Sequence, residues 1–209
     1  MLSISDARPL YEDADAVHDF DHVLRVARLA ERIGRAEGAD LTIVQAAALL
    51  HDLGRAEAQR AGADHAQVAA ARARRILAGR PEAQVEAVIH AIASHRFRTA
   101  PTPATLEAQV LFDADKLDAI GAVGIARAFA YGGAHGQRLW APIPSVDVDA
   151  WDERGDDPAN HTPVHEFVVK LSRIKDRIFT PTGRRIAASR HELMVAFFQR
   201  LSIEVRGEA

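Results

Sequence analysis

The chain contains no cysteine. Disulfides, zinc ribbons, thiolate nucleophiles and cysteine-ligated iron–sulfur clusters are therefore excluded, and a reducing compartment is permitted without being required. No apolar run approaches the roughly 18–20 residues that a membrane-spanning helix needs. The opening stretch, MLSISDARPLYEDADAV, carries acids and lacks a basic segment followed by an apolar one, so no secretory signal is expected and the cytoplasm is the default compartment. A formal net charge of −3 argues against dedicated nucleic-acid binding. Equally missing are an alternating β pattern, an internal repeat, a low-complexity tract and a Walker lysine loop. Tryptophan and tyrosine are scarce, two of each, against ten histidines. The placement of those histidines is the informative feature.

What is present is helical periodicity. Val23, Val26, Ala27, Ala30 and Ile33 recur on one face and predict a helix over 20–38, with Gly38 as its stop. Asp40 suits the N-cap of a second helix, LTIVQAAALLHDLG, which is apolar nearly all round, is expected to be central, and is expected to end at Gly54. Asp64 caps a third through Ile76 and Leu77, stopped by Gly79 and Pro81. Val85, Val88, Ile89 and Ile92 mark a fourth over 82–95. Two more are expected at 104–118 and 120–131, then a long loop or lid over 132–163. A pair near 164–179 and 183–206, joined by TPTG, completes the chain. The fold class is thus all-α: one domain over 1–209, with its core at about 15–131 and a C-terminal helical pair at 164–206.

His51–Asp52 closes the most apolar helix, AAALLHDLG. Two ionisable groups at the end of a buried helix are costly unless paired or bound to metal. The plainer alternative is that Asp52 caps a turn while His51 bonds a carbonyl. His22 lies four residues before Val26 on the inward edge of the first helix, and Asp115, in FDADKLDAIG, lies four after Leu111. Together these residues offer two imidazoles and two carboxylates, a donor set suited to Mn, Fe, Co, Ni or Zn and less to Mg.

His95 continues the Val88–Ile92 stripe, and His65 stands three residues before Val68; each suits a second metal or a phosphate contact, or else a hydrogen-bonded core position. His90, His135, His161 and His191 read as surface or loop residues. His18 and Asp19 precede the first helix, where Asp19 can orient a ligating imidazole or simply favour the helix N-terminus. Lys116 adjoins Asp115, and Asp118 is one turn on. Lys170, Lys175 and Arg190 are further candidates to meet a phosphate substrate; Arg190 shares a face with Ile186, Leu193, Phe197 and Leu201, where an arginine snorkels or pairs with an anion.

The order of HDFDHVLRVARLA, AALLHDLG and DADKLDAIGA resembles the HD-domain superfamily of metal-dependent phosphohydrolases. HAQVAAARARRIL, VIHAIASHRF and TPTGRRIAASRHELM make it similar to the YedJ/YpgQ-like branch, over roughly residues 15–205. The resemblance implies an HD-type helical bundle with His22, His51, Asp52 and Asp115 as ligands of a divalent metal. It also implies Mn-supported hydrolysis of a nucleoside triphosphate to a monophosphate and pyrophosphate. In that scheme a metal-bound hydroxide attacks phosphorus, Asp118 or a carboxylate of the ligand set (Asp52 among them) takes the proton, and Lys116 offsets phosphate charge. Two rivals stand beside it: an HD-type di-iron oxygenase using His65 and His95 as well, and a non-catalytic metal- or nucleotide-binding module.

Overall fold

A computed structural model describes residues 2–11, 20–96, 101–142 and 161–208. His18 and Asp19 lie outside the described residues, as does most of the expected 132–163 loop. The described residues are all-α, with ten α-helices, two 3-10 segments and no strand. No described helix is long and apolar enough to cross a membrane.

The chain forms two compact units, Met1–Lys116 with Phe179–Gly183 and Leu117–Ile178 with Arg184–Ala209. The first holds α1 (Ile4–Ala7), a 3-10 turn (Arg8–Tyr11), α2 (Phe20–Glu37), α3 (Leu41–Leu50), α4 (Arg55–Ala61), α5 (His65–Ile76), α6 (Glu82–Ala93) and most of α7 (Leu106–Asp118). As its unbroken apolar character requires, α3 is central and packs on both α2 and α6, while α5 packs on α6. Asp40 caps α3 by accepting from the amides of Thr42 and Ile43. Val23, Val26, Ala30 and Ile33 of α2 are fully buried against it, together with Leu49 and Leu50. Each fully buried leucine or isoleucine contributes about 1.5–3 kcal/mol. Ala46, Ala47 and Ala48 are buried too, and their small side chains let α3 approach its neighbours closely.

Asp113 of α7 has no solvent exposure. Its carboxylate accepts from the amides of Phe179 (2.9 Å) and Thr180 (2.7 Å) and from the Thr180 hydroxyl (2.7 Å). That carboxylate ties the returning 179–183 segment into this unit, a role for which the sequence carried no separate signal.

The second unit holds α8 (Gly121–Ala134), α9 (Pro163–Val169), a 3-10 segment (Leu171–Arg177) and most of α10 (Pro181–Val205). Thr162 caps α9 by accepting from the His165 amide, with Pro163 at the first helical position, where its missing N–H costs nothing. The single helix expected over 164–179 is in fact divided at Lys170, whose φ of −131° is not helical. Two β-branched residues, Val168 and Val169, precede the break, and the Ser172 hydroxyl donates to the Val168 carbonyl there.

On α10 the expected apolar stripe is displaced. Leu193 (48% exposed) and Phe197 (38%) face outward, whereas Ala187, Met194 and Phe198 are buried. The Arg190 guanidinium donates to the Leu117 carbonyl. Its aliphatic stem crosses Gly121, where a Cβ would meet Arg190 Cγ at 2.8 Å.

A further correction concerns the helix expected to reach Gly54. α3 ends at Leu50, and two tight turns follow, from the Leu53 amide to the Leu50 carbonyl and from the Arg55 amide to the Asp52 carbonyl. Gly54, at φ +72°, then starts the short helix α4, which periodicity did not reveal.

Candidate metal centre

Helix ends build the site. The last carbonyls of a helix have no intrahelical donor, and a histidine just beyond can supply one. His51 does so: its Nδ1 donates to the Ala48 carbonyl at 2.8 Å. His95, past the end of α6, repeats the arrangement with the Ile92 carbonyl at 2.6 Å. A carbonyl only accepts, so Nδ1 carries the hydrogen in both rings and Nε2 presents a lone pair. Burial pushes the pKa of His51 down and that of His95 down to about 3. Both rings are therefore neutral near pH 7, the form that ligates a cation.

His22 projects from the first turn of α2 and is 1% exposed. Its Nε2 stands 3.3 Å from His51 Nε2, 3.7 Å from Asp52 Oδ2 and 3.5 Å from Asp115 Oδ1. His51 Nε2 is 3.9 Å from each of the same two oxygens. Donor atoms of His22, His51 and Asp52 thus lie close together at the ends of α2 and α3, and Asp115 Oδ1 of α7 approaches both imidazoles. Bonds of about 2.1 Å put neighbouring ligand atoms roughly 3.0–3.4 Å apart, close to the separations of 3.3–3.9 Å between the imidazoles and the two carboxylates. The donor set and its spacing fit a divalent metal.

Asp52 has a second face. His65, the first residue of α5 after the Asp64 cap, brings Nε2 to 3.6 Å from Asp52 Oδ1. His95 Nε2 is 3.9 Å from that oxygen and 3.3 Å from His65 Nε2. Two metal-competent groups therefore share one carboxylate: His22, His51 and Asp52, and Asp52, His65 and His95.

Charge explains how these acids stay ionised. Burial alone would raise the Asp52 carboxyl, yet the surrounding His51, Arg55, His22 and His95 hold it far below its ordinary value. Asp115 is likewise opposed by burial but is held well below the usual range by Lys116 first and then by the histidines. Lys116 Nζ lies 2.7 Å from Asp115 Oδ2, leaving Oδ1 directed at the imidazoles, and 5.3 Å from the Phe112 ring. His65 falls to about 4 through burial and then the Arg55 charge.

The first unit thus gathers His22, His51, Asp52, His65, His95, Asp115 and Lys116. Other expected residues belong to the second unit. Asp118, 1% exposed, accepts from Arg127 at 2.7 Å. Lys170 pairs with Glu166 at 2.6 Å, and Lys175 is exposed. Of the histidines read as surface residues, His90 is half-buried and its Nε2 accepts from the Ala104 amide, while His161 pairs with Glu166. Arg55 went unread in the sequence although it stands one turn after Asp52; Nη1 donates to Asp52 Oδ1 at 3.0 Å and Oδ2 at 3.1 Å.

Comparison with known proteins agrees with this geometry. The HD domain family model matches residues 19–120. The chain is 37% identical over 199 residues to the Bacillus subtilis protein YpgQ, covering 93% of this chain and 88% of that one. The crystal structure of B. subtilis YpgQ in complex with ADP superposes with a TM-score of 0.73 at 32% identity, covering 99% of this chain and 100% of that one. An HD-superfamily hydrolase from Bacillus thuringiensis gives a TM-score of 0.74 at 30% identity, over 97% and 94% of the two chains. The chain belongs to the HD-domain superfamily and is a metal-dependent phosphohydrolase.

Proposed function

We propose that this phosphohydrolase acts on a nucleotide, cleaving a nucleoside triphosphate to a monophosphate and pyrophosphate. His22, His51, Asp52 and Asp115 hold the divalent metal, Mn in the working enzyme, and the reaction belongs to the cytoplasm. The observation that carries the reading is the gathering of imidazole nitrogens and carboxylate oxygens at separations of 3.3–3.9 Å. The nucleotide assignment is supported by the ADP bound to the related YpgQ.

A divalent ion bound there acidifies water and draws charge from a phosphoryl oxygen. The chain's own groups do the rest. The Ala48 carbonyl fixes the His51 ring by its Nδ1 hydrogen bond, so no reorientation is needed on binding. Lys116 holds Asp115 in place and, with 14% of its side chain exposed, adds positive charge where an anionic substrate arrives. We assign a carboxylate of the ligand set, Asp52 among them, to receive the proton of the attacking water. His65 and His95 contact phosphate from the second face of Asp52.

The test is a product screen of Mn-loaded protein against nucleoside tri-, di- and monophosphates by chromatography. Monophosphate and pyrophosphate in equal amounts are expected from a triphosphate. Orthophosphate as the sole inorganic product would overturn the proposed cleavage position. Silence with verified bound metal would favour a binding module, and stoichiometric iron with substrate-dependent oxygen uptake would favour an oxygenase.

A further inference from the structure

A helix leaves its last carbonyls without internal donors. At the end of α3, those of Ala48, Leu49 and Leu50 find donors in three different ways. His51 Nδ1 donates to the Ala48 carbonyl and the Leu53 amide to the Leu50 carbonyl, both from the adjoining turn. The Leu49 carbonyl, two residues before His51, accepts from the Tyr11 hydroxyl at 2.9 Å, a bond that closes 38 residues of chain. Burial, and then the nearby Asp52 charge, push the Tyr11 phenol well above its ordinary pKa, so the hydroxyl keeps its proton and donates.

The same side chain meets a second helix end. Its ring centroid lies 5.5 Å from that of Phe20, the first residue of α2, with the planes tilted by 51°. Phe20 is buried two residues before His22, and the Arg8 guanidinium stands 4.5 Å from its ring centroid. Tyr11 is anchored in turn by the segment before it. Ser3 and Asp6 cap α1 reciprocally, Leu2 and Ala7 are buried, and α1 packs on α3. One phenol therefore touches both helix ends whose histidines stand 3.3 Å apart.

A binding constellation must be held within about 0.5 Å of its productive geometry by supports that are themselves locked. We propose that Tyr11 is a positioning residue of the metal centre. Its hydroxyl fixes the α3 terminus that carries His51 and Asp52, and its ring fixes the start of α2 that carries His22. This inference rests on the metal-centre reading above and adds to it the support that sets the distance between two of its helix ends.

The experiment reads metal geometry and affinity, not turnover. Full-length protein is stripped with a chelator and titrated with Co(II), whose visible absorption bands report coordination. Tyr11→Phe removes one oxygen and keeps the ring. It is expected to bind Co(II) about tenfold more weakly, at the low end of what loss of an orienting partner costs, and with shifted bands. Phe20→Leu, which removes the ring contact, is expected to move both readouts in the same direction. Asp40→Ala removes the cap at the far end of the same helix and should lower its stability while leaving affinity and bands as in wild type. Unchanged bands in Tyr11→Phe overturn the inference, and so does Asp40→Ala moving them equally. Should Tyr11→Phe lose its helical circular dichroism signal, Phe20→Leu decides by the same criterion. Wild type that binds no Co(II) removes the metal-centre reading and this inference together, whereas unaltered bands in the variants leave that reading standing.

Discussion

The Nε2 atoms of His22 and His51, 29 residues apart in the chain, stand 3.3 Å from one another in the buried core of one unit. With His51 Nδ1 committed to the Ala48 carbonyl, the His51 nitrogen facing His22 is a lone pair. Such an arrangement is useful when a cation lies between the ligands. His51→Ala and Asp52→Ala should each abolish metal retention and lower hydrolysis by at least roughly a hundredfold, more than loss of an orienting partner costs. The helical circular dichroism signal should largely persist. Bound-metal analysis beside product release checks this, and full activity in either variant would remove these residues from the centre.

Lys116 touches Asp115 on the oxygen that faces away from the imidazoles. Lys116→Ala should therefore keep the metal at saturating ion concentration and weaken its affinity by about tenfold, while turnover falls further. Titration of metal into the stripped variant, followed by turnover at saturation, separates the two effects. Complete loss of metal at saturation would make the lysine structural.

Gly54 adopts φ +72°, and a Cβ there would stand 2.9 Å from Arg72 Nε and 3.1 Å from Val68 Cγ1. Gly54→Ala is expected to cost about 1–2 kcal/mol of stability from the left-handed backbone alone. Because this turn links Asp52 to Arg55, metal affinity should fall too. Urea unfolding with a metal titration tests both, and an unchanged midpoint would show that the turn relaxes freely.

Asp113 satisfies two amides and a hydroxyl at once. Asp113→Ala leaves those donors without their acceptor and should destabilise the first unit by about 3 kcal/mol. Thermal unfolding of the metal-free protein measures this without interference from ligand binding. A loss below about 1 kcal/mol would mean that the 179–183 segment is held by packing instead.

Glu166 carries a pH signature. Burial would raise its carboxyl, but His161 and Lys170 hold it down to about 2 from 4.5. Because the folded value is the lower one, the stabilisation is fully present above about pH 4.5 and is lost as pH falls toward 2. After allowance for the part-exposed Lys170, it amounts to about 2 kcal/mol. Denaturant unfolding of wild type and Glu166→Gln should differ by that amount at pH 7 and converge near pH 2.5. A pH-independent difference would refute the ionic origin.

The amphipathic stripe of α2, the apolar surface of α3 and the Asp40 and Asp64 caps were legible because burial and capping act over one or two helical turns. The motif order around His22, His51–Asp52 and Asp115 was legible as a resemblance, and its donor chemistry followed from the residue types themselves. Tertiary structure decided what distance along the chain cannot show. It brought His65 and His95 onto the opposite oxygen of Asp52 and used Asp113 to anchor a segment 66 residues away. It also turned Leu193 and Phe197 outward on a helix whose apolar pattern suggested the reverse. Periodicity records which face of an element is apolar, but the partner of a buried charge is chosen by packing between elements, where a shift of one residue changes which atoms meet.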